Sequence, residues 1–419
     1  MRILIHGLNY APELTGIGKY TGEMAEWLAI QGHEVTVVTA PPYYPHWQVQ
    51  APYRAKAYRR ESLRGVTVYR CPLWVPSKPR GITRIIHLLS WAVSSLPVSL
   101  RLVFWKPKVV FTVAPTIFGA MVALLTARLS GARSWVHIQD FELDAALELG
   151  ILSRGKMARW PMAAERWLLA RFDRVSSISE SMVQRLRDKG VPEDKTLCFP
   201  NWVACDEVHP LPVDSSLRLA WGLDLAARVV LYAGNIGKKQ GLGMLVEVAR
   251  HFRGLHPNMI FLVVGEGVAK PDLERKIVEE NLINVVFKPL QPVDRLTALL
   301  ATANIHLVIQ RRGVADLVMP SKLAGILAAG GVALVTAEPE TELHRIVNQN
   351  QVGIAVEPES ASAVIQGLEL LLDDDRLCAA LRKNARRYAE TRLDREAILS
   401  LFESQMQELS VITEWGDHR

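Results

Sequence analysis

The sequence predicts an α/β chain of two doubly wound, parallel-sheet domains. Three observations carry that expectation. Short apolar runs alternate with helical stretches along most of the chain, and the alternation stops at a proline-bearing segment, residues 199–212, then restarts. A chain of 419 residues with 49% hydrophobic content also exceeds what one ordinary core holds.

Residues 2–6 read as a buried strand, 19–31 as a helix stopped by Gly32, and 34–39 as a second strand. Such a βαβ opening implies a parallel sheet. The loop between the first strand and helix, GLNYAPELTGIGKY, carries Gly16 and Gly18 at the carboxyl end of strand one, where α/β proteins hold ligands. With Gly22 these glycines invite a nicotinamide-cofactor reading. Two features oppose it: they come nine residues or more after the strand, and the second strand ends Thr39-Ala40, where an acid would bind ribose. Further strands are expected at 66–70, 109–112, 134–138 and 175–179. The 134–138 strand runs into HIQDFELDA, so His137 and Asp140 fall at the carboxyl end of the sheet. A His and an acid three residues apart can act on a hydroxyl, although a histidine at a strand end is also a common core residue.

Charge is unevenly placed. Between residues 53 and 108 stand 12 Lys and Arg against one acid, Glu61, whereas the whole chain nets only +6. That excess needs an anionic partner, a membrane surface or a nucleic acid. Within it, residues 81–106 form a long apolar segment interrupted by Arg84, His87, Pro97 and Arg101. A charged side chain at the bilayer centre costs roughly 2.5–3.5 kcal/mol or more, so the segment is expected to lie in the headgroup region rather than cross. Arg80, Arg84, Trp91, Arg101, Trp105 and Lys106 are its expected membrane-facing residues. A buried helix with charged ends is the competing expectation. Residues 154–174 give a second basic, tryptophan-bearing helical stretch. The segment 41–53, PPYYPHWQVQAPY, reads as a rigid loop touching an acceptor or a surface.

The second half restarts with strands expected at 229–233, 260–264, 285–287, 305–309, 332–335 and 353–356. After its first strand comes GNIGKKQG, and a strand that ends in such a loop before a helix presents backbone amides and positive charge above the sheet. A phosphate or diphosphate suits that geometry; a tight turn with two solvated lysines is the plainer alternative. Gly265-Glu266-Gly267 ends the next strand, and VMPSKLAG opens a helix with Pro320 at its start. Two strand ends in one domain thus offer phosphate-type sites.

Four widely spaced cysteines without a CxxC pair indicate neither a zinc site nor a disulfide framework. The apolar run at the start is too short for a signal peptide, so the protein is expected in the cytoplasm.

With these residues placed, the chain resembles the GT-B glycosyltransferases of family 4, and is close to the colanic acid biosynthesis fucosyltransferase subgroup. The resemblance rests on NYAPELTGIGKYTGEMAEWLA, APPYYPHWQV, HIQDFELDA, FPNW, YAGNIGKKQGL and MPSKLAGILAAGG, in that order along the chain. It implies two Rossmann-like domains facing a cleft: an acceptor-binding domain over 1–203, a nucleotide-sugar-binding domain over 204–395, and a C-terminal helix, 396–419, packing back toward the first. It further implies retention of configuration, no metal and no cofactor. His137 and Asp140 match the catalytic strand-end positions. Gly16, Gly18, Gly234, Asn235, Lys238, Lys239, Gln240, Glu266, Asp316, Ser321 and Lys322 fall in the donor-binding segments. The chain departs from the family where many members carry an Arg and a Lys, having Asn235 and Gln240. It departs again where they carry two glutamates, having Leu317 and Gly325. Lys238, Lys239 and Lys322 are therefore expected to carry the phosphate charge, with Asp316 taking part of the carboxylate role.

The expected function is transfer of a sugar, fucose from GDP-fucose by the nearest subgroup, onto a polyprenyl-diphosphate-linked acceptor at an anionic membrane surface. The enzyme would then be peripheral on the inner face of the cell membrane. Alternatives are a UDP-sugar or other GDP-sugar donor, or a nucleotide-sugar epimerase or hydrolase. An oxidoreductase is disfavoured by the missing acid. A nucleic-acid partner is disfavoured because the aromatics of the basic segment sit within apolar runs.

Overall fold

The computed structural model describes residues 1–13, 16–44, 46–77, 81–114, 117–141, 156–213, 216–237, 239–313 and 320–411, with backbone only at 156–159. The chain divides into two compact units. One comprises Met1–Pro200 with the chain from Ile398 onward, the other Asn201–Ala397.

Among the described residues the first unit holds an eight-stranded sheet ordered β3-β4-β2-β1-β5-β6-β7-β8. Its strands are β1 (Arg2–Gly7), β2 (Glu34–Thr39), β3 (Arg59–Leu63), β4 (Val66–Arg70), β5 (Val109–Ala114), β6 (Arg133–Ile138), β7 (Arg174–Ser177) and β8 (Thr196–Cys198). All pair in parallel except β3, which runs antiparallel to β4 at the edge. The central β5 is buried along its whole length, as expected of a strand covered on both faces. The sequence reading has no β3. Its RRESL alternates weakly and is mostly exposed, and only the turn at Arg64 and Gly65, both at positive φ, returns it to β4.

The Ile82–Val103 helix contains Pro97 and is long and apolar enough to span a bilayer by length and composition. One of its faces belongs to the unit's own core. Leu88, Trp91 and Leu102 pack with Leu4, Val38 and Val110, while Ser95 Oγ meets His6 Nε2 at 3.2 Å. The Arg395–Val411 helix returns to this unit: Phe402 stacks on Phe199 at 4.3 Å and lies 5.2 Å from Phe111, and His33 Nε2 meets Glu403 Oε1 at 2.7 Å.

In the second unit the described strands are β9 (Arg228–Ala233), β10 (Met259–Val264), β11 (Val285–Lys288), β12 (Ile305–Val308), β13 (Ala333–Thr336) and β14 (Gly353–Val356), ordered β11-β10-β9-β12-β13-β14. This is the doubly wound order whose reversal lies between β9 and β12, the place where such sheets receive ligands at their carboxyl ends. Val203 bridges to Asp394, its N–H donating to Leu393 O at 2.8 Å, so this unit begins and ends on paired backbone.

Candidate donor and transfer site

Three loops meet above the carboxyl ends of β9, β10 and β12. Gly234 N donates to Val264 O (2.9 Å), Ile236 N to Glu266 O (2.8 Å), and Ala269 N to Ile236 O (3.0 Å), so the loops after β9 and β10 interlock through backbone alone. A Cβ on Gly265 would sit 2.0 Å from Gly234 O, and one on Gly267 would sit 2.3 Å from Ile236 O. Only glycine permits this approach. The third loop joins when Arg311 N donates to Lys239 O at 3.1 Å.

Lys322 occupies the reversal point. It lies in the first turn of the Ser321–Ala328 helix, and its Nζ reaches over the Tyr232 ring, 4.0 Å from the centroid, and 3.5 Å from where a Gly234 Cβ would stand. The side chain as a whole is half-buried, but Nζ itself is shut off from solvent and has no hydrogen-bond partner among the described residues. Burial lowers this amine to about 7. A cation with no anion beside it among the described residues, placed where a helix start leaves its first amides without intrahelical acceptors, is arranged for a ligand bearing negative charge.

The other expected donor residues take different places. Lys239 and Asn235 are exposed on the loop, whereas Gln240 Oε1 accepts from Gly237 N at 3.1 Å and so braces its own turn. Glu266 is committed to Lys270 at 2.7 Å, and Ser321 is exposed at the helix start. Lys238 and Asp316 lie outside the described residues.

In the first unit, Gly16 has φ +59° and precedes the Ile17–Ile30 helix. Gly18 is buried, and the space its side chain would fill is taken by Glu13, whose Cβ would be 2.8 Å away. Glu13 Oε1 accepts from the Tyr43 and Tyr44 amides (2.9 and 3.0 Å), and Oε2 from Asn9 Nδ2 (2.8 Å). One buried carboxylate thereby ties the loops after β1 and β2. Burial raises its pKa, and the three donated hydrogen bonds oppose that rise. Arg70, also buried, holds the same loops by donating to Ala11 O and Ala40 O at 2.7 and 3.2 Å. Neither residue stands out in sequence, since a lone acid or arginine in such a stretch reads as solvated; the glycine at 18 is the one hint.

His137 is 2% exposed. Its Nδ1 is hydrogen-bonded to Ser176 Oγ (2.9 Å), its Nε2 contacts Gln139 Nε2 (3.2 Å), and Phe111 and Phe199 flank the ring. Burial lowers its pKa to about 3, so the imidazole is neutral. These contacts fix the ring at the carboxyl end of β6. Asp140 is half-buried just beyond β6, and the next residue, Phe141, is buried beneath Lys189 and Arg185.

Two family descriptions match the chain in turn, a glycosyl transferase 4-like domain over residues 15–202 and glycosyl transferases group 1 over residues 216–388. WcaI of Escherichia coli (strain K12), named for colanic acid biosynthesis glycosyl transfer, is 46% identical, with 96% of this chain and 98% of that one covered. The chain belongs to the family 4 glycosyltransferases. Its fold is GT-B. Sucrose-phosphate synthase from Thermosynechococcus elongatus superimposes with TM-score 0.75 at 17% identity, covering 98% of this glycosyltransferase and 99% of that chain. WaaG, a glycosyltransferase involved in lipopolysaccharide biosynthesis, does so with TM-score 0.68 at 16% identity, covering 99% and 100%.

One expectation for the glycosyltransferase's surface needs correction. Trp91 is 1% exposed and packs on His6 at 4.6 Å, so it faces the core and not a membrane. It falls on the helix stripe shared with His87 and Ser95, one and two turns of whose spacing point the same way. Trp105 is half-buried, its Nε1 donating to Glu34 Oε1 at 2.9 Å. Arg84, Arg101 and Lys106 are exposed, and Arg80 lies outside the described residues. The outward stripe consists instead of Ile82, Ile85, Ile86, Val93 and Phe104, the last 86% exposed.

Proposed function

We propose that this glycosyltransferase transfers fucose from GDP-fucose, with retention of configuration and without a metal, to a polyprenyl-diphosphate-linked oligosaccharide during exopolysaccharide assembly of the colanic acid kind. The observation that carries the donor half is the Lys322 amine at the sheet reversal, buried and without a hydrogen-bond partner among the described residues. When the bond between sugar and diphosphate breaks, negative charge grows on the departing diphosphate. A fixed cation and oriented amides at that point lower the barrier. Lys239 and, from sequence, Lys238 add charge at the same loop, and Asp316 stands close in sequence for a carboxylate role toward the donor. His137, neutral and packed, positions the strand end, leaving Asp140 as the group for the acceptor hydroxyl or donor sugar. The identity of the nucleotide rests on the resemblance alone, and the 46% identical relative supports the colanic acid context.

The lipid half rests on the outward apolar stripe of the Ile82–Val103 helix with Arg84, Arg101 and Lys106 beside it, and on Trp160 and Trp167, 81% and 52% exposed on the Lys156–Leu169 helix. Apolar side chains flanked by cations suit the headgroup region of an anionic membrane. The protein would act there from the cytoplasmic side.

A transfer assay with labelled GDP-fucose and UDP-glucose, a polyprenyl-diphosphate oligosaccharide acceptor, and chelator tests this. Label should move from GDP-fucose into the lipid phase, and chelator should leave the rate unchanged. Transfer from the UDP-sugar alone would move the donor assignment, and donor turnover that ignores acceptor would make the enzyme a hydrolase or epimerase.

A further inference from the structure

Beside the membrane-type stripe, the same unit holds a cavity of about 430 Å³ that the donor site does not use. It opens between the β3–β4 edge and the second half of the Ile82–Val103 helix. Arg59, Arg60 and Arg70 come from the strands, Arg101 from the helix, and Tyr58 and Tyr69 are among the rest of the lining. Glu61 is the one acid in the surrounding stretch of sequence, and it is already taken by Arg59 at 2.9 Å and by Arg70. Arg60 lies over the Tyr69 ring at 5.6 Å, and neither Arg60 nor Arg101 has a carboxylate partner among the described residues. Tyr58, 54% exposed, donates its hydroxyl to Ser94 O at 2.9 Å and so fixes the mouth against the helix.

Arginines on an edge strand do guard against edge pairing. That role accounts for Arg59 and Arg60 but not for Arg101, which approaches the same space from another element. Nor does it account for a cavity between them. Guanidinium groups converging from two elements onto a hollow match a phosphate ester, which they bind through paired hydrogen bonds.

We propose that this arginine cavity is a binding site for the phosphate headgroup of an anionic membrane lipid. The continuity of the helix selects the lipid as the occupant. Leu100 and Phe104 stand exposed within one turn of Arg101, so a headgroup in the cavity leaves its acyl chains beside an apolar surface. The cavity then fixes the orientation of this unit on the membrane, which a diffuse positive field does not. The inference rests on the membrane-bound reading given above and narrows it to a saturable site.

Vesicle flotation of the full chain tests it, with phosphatidylcholine vesicles and with vesicles containing phosphatidylglycerol. Three proteins are compared: wild type, Arg60→Gln/Arg101→Gln, and the charge-matched Arg54→Gln/Lys56→Gln, whose residues are exposed outside the cavity. The cavity double should lose about tenfold or more in affinity for the anionic vesicles, and the control no more than about threefold. Both changes are at exposed positions, and circular dichroism and thermal melts of the full chain unchanged from wild type will show that the variants are folded. Equal losses in the two doubles would overturn the cavity while leaving membrane binding by diffuse charge. Wild type that floats with neither vesicle would overturn the cavity and the membrane reading together.

Discussion

Lys322→Met is expected to make the protein more stable and to weaken its hold on nucleoside diphosphate by roughly 10- to 100-fold. The two effects share a cause. The amine is buried over Tyr232 with no hydrogen-bond partner among the described residues, so the folded protein bears the cost of a desolvated charge that, among those residues, the Tyr232 ring offsets only in part. Methionine keeps the length and packs its thioether on the same ring, and removing the charge should raise unfolding free energy by on the order of 1–3 kcal/mol. The pH dependence carries a further sign. Folding lowers the amine to about 7, below its unfolded value, so between these values the folded chain binds fewer protons than the unfolded one. Wild-type stability should therefore rise with pH from about 7 toward about 10, and the Met variant should lack that component. Urea unfolding of both proteins at pH 7 and 9 checks it. A variant less stable than wild type would make Lys322 a structural residue.

Gly265→Ala is the second large effect. The added methyl would stand 2.0 Å from Gly234 O, a backbone atom that cannot turn aside, so the loops after β9 and β10 must part. A loss of roughly 2–4 kcal/mol is expected, together with loss of nucleotide binding, because the separated loop is the one beside Lys322. Gly254→Ala is the contrast. It lies exposed in the Leu245–Leu255 helix with nothing within 4 Å of its Cβ position, and the change should be neutral or stabilising by about 0.5–1 kcal/mol. Denaturant melts of the two variants separate a general glycine effect from this contact.

The parallel strands were legible in sequence because burial on both faces leaves continuous apolar runs, such as VVFTVA in β5 and MIFLVV in β10. The edge strand β3 was not, because pairing on one side only asks for no such pattern. At the site, the glycine loops and PSK could be placed from their residue types at strand ends and at a helix start. What sequence could not give was direction. Trp91 and Phe104 both sit in the same apolar segment, and only the helix's rotation against the sheet sends the first inward and the second outward. Likewise, Glu13 and Arg70 acquire their role from loops distant in sequence that close around them.

The most direct measurement is calorimetric titration with GDP and with UDP at pH 8, in chelator, using two buffers of different ionisation enthalpy. If Lys322 is the cation that meets the donor diphosphate, an amine lowered to about 7 must take up a proton when the nucleotide arrives. Uptake should approach one proton, GDP should bind more tightly than UDP, and affinity should fall by up to about tenfold per pH unit above 7. Lys322→Met should show weaker binding with that proton absent. Tight binding with the same proton count in both proteins would contradict the assignment.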